Sequence, residues 1–124
     1  MKKIFALRGL KSLCVSMGMF IVTAASAQTY PDRTINILQG FAPGGNADAI
    51  ARAVGTEMAK TMGQAVVVDA QAGAGGTIAA TTVAKSKPDG YTLLLATGGH
   101  AVAGAIYNNL NYKTVQDFEM ISTI

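Results

Sequence analysis

The stretch TINILQGFAPGGNADAIARAVGTEMAKTMG, residues 34–63, contains the pattern that decides the fold. Residues 34–38 are rich in β-branched and apolar side chains, which favours a buried strand. A glycine-containing break at residues 40–45 follows the strand. Apolar side chains then recur at steps of three and four, as on one stripe of an amphipathic helix, and Gly63 is placed to end that helix. The stripe consists of Ala47, Ile50, Ala51, Val54, Met58 and Met62. The stretch therefore predicts a strand, a loop and a helix.

The same order of elements recurs towards the carboxyl terminus. A short apolar run at residues 65–68 predicts a second strand, covered on both faces by helices. Residues 77–85 predict a second helix, which ends before a Pro-Asp-Gly turn at residues 88–90. Residues 91–96 predict a third strand, and residues 101–110 have a weaker helical pattern.

Strands and helices that alternate at this spacing predict βαβ units, whose crossovers are right-handed and whose strands are parallel. The expected fold class is therefore α/β, a parallel sheet with flanking helices. The tail, residues 111–124, is compatible with either a fourth strand or a connector, through Phe118, Met120 and Ile121.

The first 27 residues have the order of a secretory signal peptide. Positive charges come first, an apolar run at residues 13–25 follows, and the small residues Ala25, Ser26 and Ala27 end the segment. The apolar run is shorter than the roughly 20 residues that span a bilayer. We predict cleavage after Ala27, export to the periplasm, and a mature chain of residues 28–124 that does not span the membrane.

Charge and cysteine content exclude several kinds of partner. Beyond the leader, the chain contains six Lys and Arg and seven Asp and Glu, so the mature chain carries a net charge of −1. Its cations are scattered singly, without the basic strip that binds a nucleic acid backbone. Cys14 lies in the leader, so the mature chain can form neither a disulfide nor a thiolate metal site.

Three glycine-containing loops follow the three predicted strands: the first loop (residues 41–46), the second loop (73–77) and the third loop (97–100). In a parallel α/β sheet these loops emerge at one edge, where ligands bind. Glycines let a ligand approach backbone N–H groups, and the helix N-termini that follow favour an anion such as a carboxylate. The candidate ligand-binding residues are Phe41, Gly44, Gly45, Asn46, Asp48, Gly73, Ala74, Gly75, Gly76, Thr77, Thr97 and His100.

Two of these residues have competing interpretations. Asp48 is expected to cap the first helix rather than to face the ligand; in the crevice its charge would suit a ligand ammonium group or a bridging water. His100, the only histidine, is either a loop-capping or ligand-facing donor or a plain surface residue. It has no nucleophilic serine and no further metal ligands beside it in the pattern. We therefore expect no catalytic residue, no metal and no cofactor.

Nucleotide-binding motifs match poorly. The first loop lacks the Lys-Ser/Thr pair of a P-loop. Residues 73–78, GAGGTI, match a dinucleotide fingerprint only in their first two glycines, and no acidic residue ends the next strand. A fragment of a small NAD-type enzyme therefore remains an alternative function, and a non-functional gene remnant is another.

Several sequence blocks, in this order, resemble one known family. The chain resembles the Bordetella uptake gene (Bug) family, the solute-binding proteins of tripartite tricarboxylate transporters. The blocks are Tyr30-Pro31-Asp32-Arg33, Phe41-Ala42-Pro43-Gly44-Gly45 with Asp48 and Ala51-Arg52, Val66-Val67-Val68, Gly73-Ala74-Gly75-Gly76, Val83-Ala84-Lys85, Pro88-Asp89-Gly90-Tyr91-Thr92-Leu93-Leu94, and Asp117-Phe118.

The resemblance implies a type II periplasmic binding protein, in which two α/β lobes close on a solute and which performs no enzymatic reaction. The usual solutes are carboxylates, such as amino acids, aromatic acids and tricarboxylates, and the partners are membrane transporter subunits. In the family, the loops matching residues 41–48 and 73–77 hold the carboxylate, partly through ordered water, and the loop matching residues 97–100 borders the same cleft. The chain departs from the pattern at Ala47, where members often have a hydroxyl residue, and at residues 70–72, where they often have Asn-Arg-Pro.

Residues 28–124 match only the amino-terminal part of the first lobe, because family members continue through a second lobe and a return segment. A micromolar site needs about −8 kcal/mol, whereas a helix terminus contributes about 0.3–1 and a charged hydrogen bond about 1.5–3 kcal/mol. We expect residues 28–124 alone to bind a carboxylate weakly or undetectably. We also expect unpaired strand edges that favour aggregation.

Overall fold

The computed structural model describes residues 29–124, and the predicted signal peptide and its cleavage site lie outside these residues. Strands and helices alternate in the described part. The elements are β1 (Ile35–Gln39), α1 (Asn46–Met62), β2 (Val66–Ala70), a short 3₁₀ turn (Ala74–Gly76), α2 (Thr77–Ala84), β3 (Thr92–Leu95) and α3 (Gly98–Ile106). None of the helices in this part of the chain is long and apolar enough to cross a membrane.

The three strands form one parallel sheet in the order β2-β1-β3. The central strand β1 contains the most deeply buried side chains, among them Ile35 and Ile37, which are 0% and 3% exposed. Because a right-handed crossover to β2 and another back over β1 to β3 run in opposite directions, α1 and α2 cover opposite faces of the sheet. The predicted α/β class with parallel strands is confirmed.

Helix α1 packs on the sheet through small residues. Ala51 and Gly55 are buried, and a Cβ built on Gly55 would lie 3.2 Å from Val66 Cγ1. The predicted apolar stripe is therefore displaced, since Ile50 and Met62 are 37% and 38% exposed. The predicted end of α1 is confirmed, since Gly63 is left-handed (φ 67°) and donates its N–H to the Ala59 carbonyl.

The structure corrects two expectations about strands. β2 is not covered on both faces: Val67 is 49% exposed, because β2 lies at an edge of the sheet and α2 packs over β1 and β3 instead. The tail contains no strand among residues 107–124. Tyr112 and Phe118 pack there on His100, with ring centroids 5.8 and 4.9 Å from the histidine ring.

A contact between distant segments braces the opposite edge of the sheet, where the strands begin. The Arg33 guanidinium pairs with Asp89 at 2.7 Å and lies 4.0 Å from the Tyr91 ring centroid. The Tyr91 hydroxyl donates to Asp32 at 2.6 Å, and the Tyr30 hydroxyl donates to the Gly90 carbonyl at 2.8 Å. These bonds tie the chain entering β1 to the turn entering β3.

Candidate functional site

The three loops lie together at the carboxyl ends of the strands. Loop contact begins at Gly40, where a Cβ would lie only 2.3 Å from the Gly76 Cα, so the backbones of the first and second loops touch. Residues 98–100 of the predicted third loop form the first turn of α3. This turn reaches the second loop, since a Cβ on Gly99 would lie 3.9 Å from the Gly75 carbonyl oxygen. This convergence follows from the parallel register, because every strand of the sheet ends on the same side.

A small cavity of about 10 Å³ lies where the loops meet, with room for one water-sized group. Its lining comes from β3, from the residues that follow all three strands, from α2 and α3, and from the tail. The lining residues are Gly40, Gly75, Gly76, Thr77, Leu94, Leu95, Ala96, Thr97, His100, Ala103 and Tyr112. Five of the predicted site residues are thus brought together: Gly75, Gly76, Thr77, Thr97 and His100.

The other predicted residues lie outside this cavity. Phe41 lies close to it, since a ring carbon of Phe41 is 3.8 Å from the position of a Cβ built on Gly76, a lining residue. Around the start of α1, Gly44, Gly45 and Asn46 are exposed, whereas Asp48, the third residue of the helix, is buried. Gly73 and Ala74 lie in the second loop, before the lining residues.

All three helices begin without a side-chain cap. Their N-cap residues are Gly45, Gly76 and Thr97, and none of these makes a side-chain hydrogen bond to the first turn. The first N–H groups of a helix have no partner within it and carry about half a positive charge. The arrangement therefore directs three partial positive charges towards one edge of the sheet.

The second loop has an unusual backbone. Four successive residues, 73–76, have positive φ, and Ala74 (φ 47°) is the only one of them that is not glycine. This conformation turns the chain sharply from β2 into α2 and exposes Gly75 beside the cavity.

Gln39 holds the first loop, a role that the sequence did not reveal. Its side chain is fully buried; it accepts the Phe41 N–H at 2.8 Å and donates to the Phe41 carbonyl at 2.9 Å. Both backbone groups of Phe41 are thus occupied and the loop leaves β1 in a fixed direction. The only sequence signal is a polar side chain between an apolar strand and a glycine.

Asp48 does not cap α1 as expected. It is 4% exposed, and its Oδ2 accepts the Gly44 N–H and the Arg52 Nε–H, both at 2.9 Å. Its Oδ1 has no hydrogen-bond partner within residues 29–124. The carboxylate therefore closes the first loop onto α1, and Arg52, four residues further along the helix, neutralises it.

The ionised state of Asp48 is favoured by these contacts. The Arg52 hydrogen bond, followed by the Gly44 amide, lowers the pKa of Asp48 below its ordinary value, although burial acts in the opposite direction. A carboxyl with a lowered folded-state pKa stabilises the fold above its unfolded-state pKa, and this contribution is lost as the pH falls through the folded-state pKa.

We therefore expect Asp48→Asn to destabilise the protein at neutral pH and to lose this effect in acid. The difference in free energy of unfolding between wild type and variant should shrink as the pH falls below about 4. Urea unfolding at pH 7 and at steps down to pH 2 measures it. Glu57→Gln is the control, because Glu57 pairs with Lys60 at an exposed site and should matter little at any pH. A pH-independent Asp48→Asn difference would contradict the assignment.

His100 proves to be neither a loop cap nor a plain surface residue. It is the third residue of α3, is half-buried, and its Nε2 lies 3.0 Å from the Thr114 carbonyl oxygen. It lines the cavity and also holds the tail against α3. Within residues 29–124 no group of three or more His, Cys, Asp and Glu side chains is arranged to hold a metal ion.

Known proteins share this sequence and fold. Residues 50–124 match the family model described as tripartite tricarboxylate transporter family receptor (TctC). A protein from the TAR-I ttuE-ttuC' intergenic region of Agrobacterium vitis is 44% identical over 82% of this chain and 29% of its own length. BugT from Bordetella pertussis is 40% identical over 90% of this chain and 36% of its own.

Solved structures show the same likeness. The periplasmic binding protein BugD superposes with a TM-score of 0.70 at 43% identity, over 73% of this chain and 30% of its own. MatC from Rhodopseudomonas palustris, solved with bound malate, superposes with a TM-score of 0.67 at 44% identity, over 72% of this chain and 31% of its own. A second R. palustris protein, solved with adipate, superposes with a TM-score of 0.65 at 35% identity, over 68% of this chain and 29% of its own.

The chain spans about a third of the length of the curated relatives that it matches. The family model covers more than half of the chain, and the resemblance to the Bug family is confirmed by BugT and BugD. The chain belongs to the tripartite tricarboxylate transporter receptor family, the family of the Bug proteins.

Proposed function

We propose that this chain supplies part of the binding site of a periplasmic solute-binding protein, which captures a small carboxylate and delivers it to the membrane subunits of a tripartite tricarboxylate transporter. The observation that carries the proposal is the cavity lined by Gly40, the second loop and the third loop, with the uncapped N-termini of α2 and α3 beside it and that of α1 at the same edge of the sheet. No chemical step on the solute is part of the proposal.

The electrostatics of the site favour an anion. The helix N-termini direct partial positive charge to one edge of the sheet, and exposed backbone at Gly44 and Gly45 allows a ligand to approach without meeting a side chain. The one buried carboxylate nearby, Asp48, is paired with Arg52, so its charge is neutralised before an anion arrives. Bound malate and adipate in two related structures support the same ligand class.

The small cavity accounts for only part of a binding site. Its volume of about 10 Å³ admits one group of a solute, whereas small-molecule pockets usually enclose 300 Å³ or more. In our proposal the described loops hold one carboxylate end of the solute, and the remainder of the solute is enclosed by protein outside residues 29–124.

The signal-like leader, the single lobe and the ligand class together define the proposed role in the cell. Export to the periplasm would bring the protein to the solute, and release from the membrane after cleavage at Ala27 would leave it free to diffuse to a transporter. The relatives support this location, since BugD is a periplasmic binding protein.

We expect malate or adipate to stabilise the full-length gene product against heat, and NAD to leave it unchanged. A ligand at 100 times its Kd adds about 2.7 kcal/mol to the free energy of unfolding, which is a shift of several degrees in Tm. A thermal-shift screen against both carboxylates, succinamide as an uncharged control, and NAD measures this. Stabilisation by NAD alone would favour a nucleotide-dependent enzyme instead.

A further inference from the structure

Tyr112 is a buried residue that lines the cavity but belongs to none of the three loops. It lies in the tail and is 6% exposed. Its ring is parallel to that of His100, with centroids 5.8 Å apart, and meets the ring of Phe118 edge-on at 5.6 Å. These contacts hold the ring in place from two sides, so the position of its hydroxyl is fixed by packing.

The Tyr112 hydroxyl is buried and has no hydrogen-bond partner within residues 29–124. Buried polar groups in native proteins nearly always have a partner, so an orphaned hydroxyl calls for something that pairs with it. Neither His100 nor Thr77, which line the same cavity, makes a hydrogen bond to it. The His100 Nε2 lies instead 3.0 Å from the Thr114 carbonyl oxygen, and the Thr77 hydroxyl donates to the Ala74 carbonyl.

Tyr112 lines the cavity at which the three loops meet. The cavity has room for about one oxygen-sized group. Two of its lining residues, Gly75 and Ala96, are exposed, so the cavity borders the protein surface. A group that enters the cavity from the surface therefore comes to lie beside a residue whose hydroxyl has no hydrogen-bond partner within residues 29–124.

The surroundings favour an anionic oxygen as that group. Burial, with a smaller effect from Tyr107, raises the pKa of Tyr112 above its ordinary value, so the hydroxyl stays protonated at neutral pH and can donate. The uncapped N-termini of α2 and α3 lie beside the same cavity, at Gly76 and Thr97. A neutral donor and two helix N-termini are complementary to a carboxylate.

We propose that Tyr112 is a specificity-determining residue of this site, whose hydroxyl donates a hydrogen bond to a carboxylate oxygen of the solute seated in the cavity. The proposal rests on the proposed function and adds a residue outside the three loops. The tail then does more than cover α3, because it supplies a side-chain donor where the loops supply backbone donors.

The test is Tyr112→Phe in the full-length gene product, with malate and adipate titrated by calorimetry. We expect affinity for the better-bound of the two to fall about 10-fold or more, the effect of removing one hydrogen bond to a charged oxygen. The Tm of the ligand-free protein should be unchanged or slightly higher, since the deleted hydroxyl had no partner there. Tyr30→Phe is the matched control, because Tyr30 is 50% exposed at the opposite edge of the sheet and outside the cavity lining, and its affinity should stay within twofold of wild type.

Three other results would overturn the proposal. If Tyr112→Phe binds as tightly as wild type, the hydroxyl does not contact the solute, although the proposed function stands. If the ligand-free variant loses stability while its affinity is unchanged, the hydroxyl is paired with a permanently resident water. If wild type itself binds neither carboxylate, the proposed function fails and this inference fails with it.

Discussion

Gly40→Ala is expected to lower the free energy of unfolding by about 3 kcal/mol, at the upper end of the usual effect of overpacking. The new Cβ would lie 2.3 Å from the Gly76 Cα and 3.1 Å from the Gly76 carbonyl oxygen. Both are backbone atoms, so no side-chain rotation relieves the overlap. The second loop must move away from the first, and the cavity between them must open. Urea unfolding of the full-length gene product measures the loss.

Gly98→Ala is the matched control for Gly40→Ala. Gly98 begins α3 in the third loop, and a Cβ built there meets nothing within 4 Å. Alanine also restricts the unfolded chain more than glycine does, so the variant should be as stable as wild type or up to about 1 kcal/mol more stable. Equal effects at Gly40 and Gly98 would show that the loops do not touch as described.

Gln39→Leu is expected to cost about 2 kcal/mol. Leucine keeps much of the side-chain volume in a fully buried position but removes both hydrogen bonds to Phe41. The Phe41 N–H and carbonyl then lose their partners at a partly buried site, at about 1 kcal/mol or more each. The same variant should weaken carboxylate binding, because the first loop is no longer held in one direction. Urea unfolding and calorimetry with malate measure the two effects.

Gln116→Leu is the control for Gln39→Leu, since Gln116 is exposed in the tail and its replacement should change stability by less than about 0.5 kcal/mol. A Gln39→Leu variant as stable as wild type would mean that water replaces the lost bonds, and that Gln39 does not direct the loop.

The elements of the fold were predictable because their signals are local. A β-branched run, a helical stripe and Gly63 define β1 and α1 within a few residues of their observed ends. The parallel arrangement then follows from the spacing of strands and helices. What was not predictable depends on the order of strands in space. Val67 is exposed because β2 lies at an edge, and no periodicity within β2 reveals its place in the sheet.

The candidate site was also predictable only in part. Glycines after strands indicate the loops, because they mark where the backbone turns. Gln39, Asp48 and Tyr112 escaped correct assignment, because each acts through a contact that local spacing does not fix. The Gln39 amide hydrogen-bonds to Phe41 only because the chain turns back after β1. Asp48 pairs with Arg52 one helical turn later, and the burial of Tyr112 depends on the packing of the tail against His100.

The architecture also gives the site its rigidity. Gly40 brings two loops into backbone contact, Gln39 sets the direction of the first, and the Asp48–Arg52 pair closes it onto α1. Donors that are held in place before a ligand arrives lose little entropy when it binds. We infer that affinity depends as much on these supporting bonds as on the amides that face the solute.

The most direct test of the account is a crystal structure of the full-length gene product with malate bound. We predict a malate carboxylate where the three loops meet, within hydrogen-bonding distance of backbone N–H groups at the starts of α1, α2 and α3. Malate bound at the opposite edge of the sheet, beside the turn at residues 88–90, or contacting only one of the three loops, would contradict it.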